Sequence, residues 1–143
     1  MREIKFRALS TNNKDWIYGF PLIYGWADVF QIVDCHGERK NVKPNTFCQF
    51  TGLKDKNGVE IYEGDILKRV VTIRLFGTSD PPEDVEDIQE VKWREDYAGF
   101  YIGERELFAE IDATSCFYTG CGCTKFEIIG NIHERPELLE VQP

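Results

Sequence analysis

Apolar and charged residues alternate at the start of the chain, where Ile4, Phe6 and Ala8 are interleaved with Lys5 and Arg7. A period of two sends one set of side chains to a buried face and the other to water, which predicts a strand. A polar, turn-rich stretch at 10–15 follows, and Trp16, Ile17, Tyr18, Gly19 and Phe20 then read as a second strand. Pro21 ends that strand or places it at a sheet edge, because proline has no N–H to give a ladder. Residues 24–33 are aromatic and β-branched and predict a third strand, closed by a turn at His36, Gly37 and Glu38.

The middle of the chain is better punctuated. Asn57 and Gly58 both tolerate positive φ and mark a tight turn. Glu63, Gly64 and Asp65 mark another, which introduces a strand at 66–76. In that strand Ile66, Val70 and Thr72 fall on one face, and Leu67, Val71, Ile73 and Leu75 on the other. Apolar groups on both faces predict burial on two sides or a bend within a barrel. Residues 77–84 contain Pro81 and Pro82 among acidic residues, which predicts an exposed loop or hairpin tip. Residues 91–93 and 100–102 flank Arg94, Glu95 and Asp96 as a hairpin, and 107–111 read as a further strand. Residues 114–124 are irregular, while Phe126, Ile128, Gly130 and Ile132 alternate as a last strand. Pro136 is suited to the first position of a short helical turn that includes Leu138 and Leu139.

No stretch carries a 3.6-residue apolar stripe, and no repeat is present. Short strands separated by turns predict a mainly β chain. The expected architecture is a single domain over 1–143. It has an N-terminal β subregion at 1–47, a small β-barrel of SH3-like flavour at 48–143, and a short C-terminal helical turn. Aromatic content of 13% agrees with β structure.

Charge changes the picture by exclusion. The formal net charge is −8, and no long Lys/Arg run offsets it. Phosphate backbones repel such a chain, so double-stranded nucleic acid is not an expected partner. No apolar run approaches the roughly 20 residues that span a bilayer, and no signal-peptide core follows the first residues. The expected location is the cytoplasm of a bacterial cell, with the five cysteines as reduced thiols.

Three segments carry a resemblance. The first is Met1 through Ala8. The second is Gln49 through Gly58, continuing through Ile61, Tyr62, Glu63, Gly64, Asp65 and Ile66. The third is Glu127, Ile128, Ile129, Gly130, Asn131, Ile132, His133 and Glu134, with Pro136, Glu137, Leu138 and Leu139. In this order they resemble the YopX family of phage and prophage proteins along nearly the whole chain. The resemblance implies a largely β protein of phage or mobile-element origin with no assigned biochemical role and no catalytic residues to carry over. The segment 116–123 and the loop at Pro81 and Pro82 depart from the family's usual pattern.

The candidate chemistry is thin. Glycines at 52, 58 and 64 explain the central motif as a structural corner, and Lys54, Asp55, Lys56, Glu63 and Asp65 are its alternative use as an interaction surface. Cys116, Cys121 and Cys123 form a C-x4-C-x-C cluster that a structural zinc would use only with a fourth ligand such as Cys35, His36, Cys48 or His133. Free thiols in a loop are the plainer reading. Neither histidine lies in a nucleophile signature. Glu83, Asp84, Glu86, Asp87 and Glu90 read as a solvated acidic face, and a carboxylate-dependent hydrolase would need them in a cleft. Trp93, Tyr97, Phe100 and Tyr101 read as core packing before a stacking platform for single strands.

The leading expectation is therefore a non-enzymatic phage or prophage accessory protein that binds another protein, with open strand edges that allow a homo-oligomer. The alternatives are a nucleic-acid-related small barrel with a hidden basic face, and an acidic mimic of DNA. No cofactor is expected beyond the zinc alternative.

Overall fold

The computed structural model describes residues 3–12, 15–107 and 126–140. The chain divides into two compact units, Met1–Gly52 and Leu53–Pro143.

In the first unit, β1 (Phe6–Leu9), β2 (Trp16–Tyr24), β3 (Val29–Val33), β4 (Arg39–Asn41) and the start of β5 (Cys48–Lys54) form an antiparallel sheet in the order β4-β3-β2-β1-β5. Pro21 lies within β2 and pairs with Ile32, so the strand runs on to Tyr24. A 3-10 turn at Gly25–Ala27 then reverses the chain into β3. The turn from β3 to β4 is held by Asp34, whose Oδ1 accepts the N–H groups of His36 and Glu38 at 2.9 and 3.0 Å. These bonds to the ionised form hold the Asp34 carboxyl below its ordinary range, the Glu38 N–H contributing most. One face of the sheet carries the core, in which Ala8, Ile32 and Val42 are buried with Ile17, Phe30 and Phe47 packed around them.

The second unit begins with the end of β5 and the turn to β6 (Glu60–Tyr62). Its main sheet has the order β10-β9-β8-β7-β11, built from β7 (Asp65–Ile73), β8 (Glu83–Arg94), β9 (Gly99–Ile102), β10 (Arg105–Glu106) and β11 (Glu127–Asn131). Ile61, Leu67, Val91, Ile102, Leu107 and Phe126 form the core, against which Leu53, Phe100 and Ile128 pack. Each such side chain contributes about 1.5–3 kcal/mol by leaving water. The chain ends in a 3-10 turn at Pro136–Leu139 with proline at its start, as the sequence predicts.

The mainly β class holds, but the barrel does not. The strands form antiparallel sheets, and neither strand order closes on itself among the described residues. The expectation rested on two-sided burial of the strand after Gly64. Among the described residues, burial on both faces is found at the start of the strand, at Asp65, Ile66 and Leu67, whereas Val70 and Ile73 farther along are exposed. The outer half of β7 pairs instead with β8 in a long hairpin, from Ile66↔Glu90 to Ile73↔Glu83. Residues 77–82 lie in the exposed tip of this hairpin, as the sequence predicts, and the acidic residues from Glu83 onward form strand β8. Lys68 pairs with Glu86 at 3.7 Å and Arg69 with Asp87 at 2.9 Å, which offsets part of its charge. The hairpin of β8 and β9 forms as predicted, with Val91 opposite Ile102 and Trp93 opposite Phe100. Residues 108–111 and 114–124 of the sequence reading lie outside the described residues.

Gly64 occupies the turn between β6 and β7 at φ 85°. Its carbonyl accepts the Ile132 N–H at 3.0 Å, and a Cβ there would lie 3.3 Å from Ile132 Cγ1. A Gly64→Ala variant should lose about 1–2 kcal/mol from the left-handed conformation alone. Urea denaturation of the variant and parent checks this, with an unchanged midpoint as the contrary result.

Candidate functional site

The second and third sequence motifs meet in the second unit, and carboxylates make the joints. Asp55 is 8% exposed and Asp65 only 2%. Asp55 Oδ1 accepts the Asn57 and Val59 N–H groups at 2.8 and 2.9 Å, which closes the turn between β5 and β6. Its Oδ2 accepts the Ile128 N–H of β11 at 3.1 Å. Asp65 repeats the device: Oδ2 accepts the Tyr62 N–H at 2.8 Å and Oδ1 accepts the Asn131 amide at 3.1 Å. Asn131 Oδ1 in turn accepts the His133 N–H at 2.9 Å. Lys56 completes the joint, its N–H donating to the Phe126 carbonyl at 3.0 Å and its ammonium lying 3.4 Å from Glu127. Gly130 admits Leu138 of the terminal turn, whose Cδ1 lies 2.6 Å from where a Cβ would stand.

This geometry divides the five residues proposed as an interaction surface. Lys54 and Lys56 are exposed and Glu63 is half-buried, so these three reach solvent. Asp55 and Asp65 do not, because their oxygens are turned inward to backbone and amide donors. The corner reading accounts for both carboxylates. Replacing Asp55 by Ala strips the acceptor from three N–H groups. Asn57 and Val59 are exposed and their N–H groups can turn to water, so the loss comes chiefly from the half-buried Ile128 N–H and should be about 1–3 kcal/mol. Thermal unfolding of Asp55→Ala and Asp55→Asn checks it, with Asn retaining part of the stability. A variant as stable as the parent would contradict the joint.

The zinc alternative falls on Cys116, Cys121 and Cys123, which lie outside the described residues. Of the proposed fourth ligands, Cys35 and His36 are exposed and Cys48 is buried. No group of three or more His, Cys, Asp or Glu side chains suited to a metal occurs among the described residues.

Of the acidic residues on β8, Asp87 is taken up by Arg69 at 2.9 Å and by the Gln89 amide at 3.1 Å. The Arg69 guanidinium also lies over the Phe126 ring, 4.9 Å from its centre. These residues line a cavity of about 400 Å³ with Gly103, Glu104 and Arg105. Asp87 therefore serves an ion pair, which is a structural use of the carboxylate.

The Trp93 group is not simply core. Tyr101 is buried, while Trp93 and Tyr97 are exposed. Arg94 lies 4.7 and 4.8 Å from the ring centres of Tyr97 and Tyr101, and it donates to Asp96 at 2.6 and 3.1 Å. The Arg94 hydrogen bond holds the Asp96 carboxyl below its ordinary range, so the arginine's charge is already met.

A stronger aromatic surface lies in the first unit. On β2 the residues Tyr18, Phe20 and Tyr24 alternate onto the face opposite the core and are 49%, 60% and 40% exposed. Trp26, in the turn that follows, is 90% exposed and meets Tyr24 edge-on at 6.2 Å. Cross-strand register adds cations to the same face: Arg7 stands opposite Tyr18, and Phe20, Val33 and Arg39 share one row. Arg7 lies over the Trp16 ring at 4.2 Å. Charge is also divided between the units. Residues 1–52 carry seven Lys/Arg against five Asp/Glu, and residues 53–143 carry ten against twenty. The sequence signal for this face was the alternation along β2, but Ile17 and Ile23 made both faces read as apolar.

Comparison with known proteins agrees with this architecture. The family described as YopX protein matches residues 5–140. The crystal structure of protein EF1440 from Enterococcus faecalis is similar, with 27% identity and a TM-score of 0.56 over 97% of this chain and 99% of that one. No curated protein matches. Among the described residues no helix is long and apolar enough to cross a membrane.

Proposed function

This chain belongs to the YopX family, and from the geometry of its N-terminal sheet we propose that it is a non-enzymatic binding module, a phage or prophage accessory protein working in the bacterial cytoplasm. The observation that carries this reading is the exposed row of Tyr18, Phe20, Tyr24 and Trp26. Large apolar rings on one sheet face are costly to leave in water, and surfaces that retain them are commonly contact sites. Tyr and Trp supply much contact area with little side-chain entropy to lose, and they dominate binding energy where they are buried by a partner. The face is backed by apolar packing, with Ala8, Ile17 and Ile32 on the other side of the same strands. A macromolecular partner thus meets a preformed surface and pays little for ordering it.

The test compares the tagged chain with a Phe20→Ala/Trp26→Ala double variant in capture from a bacterial lysate, with and without nuclease. Both side chains are exposed, so the variant should fold with an unchanged melting temperature. The reading expects a discrete set of partners held by the parent and lost by the variant. Equal capture by both would overturn it.

A further inference from the structure

We infer that the aromatic face of the first unit takes single-stranded nucleic acid; the inference rests on the binding role proposed for that face and names its ligand. Three features of the face point the same way. The first is spacing. Alternate residues on a strand lie about 6.8 Å apart, so Tyr18 and Phe20 present successive rings at that interval. A duplex advances only about 3.4 Å per nucleotide along each strand and keeps its base faces covered by neighbours. An extended single strand matches the wider spacing and has free base faces to stack on the rings.

The second feature is charge. Arg39 stands exposed at the end of the row through the pairs Phe20↔Val33 and Val33↔Arg39, while Arg7, opposite Tyr18, is half-buried over the Trp16 ring. No Asp or Glu occupies the paired strand positions of this face in β1 to β4, which are filled instead by Arg7, Trp16, Tyr18, Phe20 and their apolar or amide neighbours. The net charge of −8 divides into +2 on residues 1–52 and −10 on residues 53–143. The electrostatic objection to nucleic acid therefore does not apply to this face.

The third feature is polarity beside the rings. Gln31 donates to Asn41 Oδ1 at 2.8 Å in the row that includes Leu22. An amide pair next to stacking rings offers donors and acceptors to base edges. With few such groups, the face should bind many sequences with modest preference.

Fluorescence anisotropy with a labelled thymidine oligonucleotide, its duplex with the complementary strand, and a uridine oligonucleotide tests the inference. The full chain should bind both single strands and prefer them to the duplex. Binding should weaken with salt, with a shallow logarithmic slope near −0.7 if Arg39 neutralises about one phosphate. Phe20→Ala/Trp26→Ala should weaken binding by about tenfold or more. Arg39→Glu should reduce both affinity and salt slope while leaving the melting temperature unchanged. No binding by the parent at low salt, duplex bound as tightly as single strand, or full affinity in the double variant would each overturn the inference. Size-exclusion chromatography with light scattering adds a separate arm. A parent dimer that the double variant converts to monomer assigns the face to a second copy and also overturns it. Should the parent capture a protein in nuclease-treated lysate and the double variant not, while neither binds an oligonucleotide, the ligand class falls and the binding role of the face stands.

Discussion

The buried hydrogen bond between the Asn131 amide and the Asp65 carboxylate ties together two segments 66 residues apart in sequence. Both groups are almost fully removed from water, so neither has an alternative partner in solvent. Once Asp65 also accepts the Tyr62 N–H, the turn between β6 and β7 is fixed, and β7 starts at the height where β11 can pair with it. Asp55 does the same one turn earlier, holding the β5–β6 connection and the Ile128 N–H together. The apolar core of the second unit is assembled around these joints, with Ile61, Leu67 and Phe126 drawn from the segments that the carboxylates connect. A polar network of this kind specifies one register, because a shifted strand would leave buried donors without acceptors.

Much of this was written in the turn chemistry. Gly58 and Gly64 have positive φ, and the strand after Phe126 and the turn at Pro136–Leu139 are where the pattern put them. What pattern alone does not carry is the direction of a short polar side chain. Asp55 and Asp65 look like surface residues between lysines and glutamates, and only the return of β11 from some 70 residues away makes them interior. The same limit explains the barrel. Apolar residues on both faces of β7 are consistent with two-sided burial, but the partner strand is acidic and the outer ribbon stays in solvent. Acidic residues are poor strand formers by propensity, and β8 forms because Lys68 and Arg69 stand across from it and Val91 anchors its end in the core.

The aromatic face was hidden for a different reason. Along β2 every position but Gly19 is apolar or aromatic, so the period-two signal that identifies a strand does not say which side is wet. Whole-chain charge averages an acidic second unit with a mildly basic first one. Partition of charge by unit is physically the relevant quantity, because screening confines a charged ligand to the potential within about 8–10 Å of its binding surface.

Whether the paired side chains at 65 and 131 hold the second unit in register is decided by a double-mutant cycle. Asp65→Ala, Asn131→Ala and the double variant would be unfolded in urea beside the parent. Each single change should be strongly destabilising and the double change should cost less than their sum, with a coupling of about 1–2 kcal/mol. Strict additivity, with no coupling beyond about 0.3 kcal/mol, would contradict this joint.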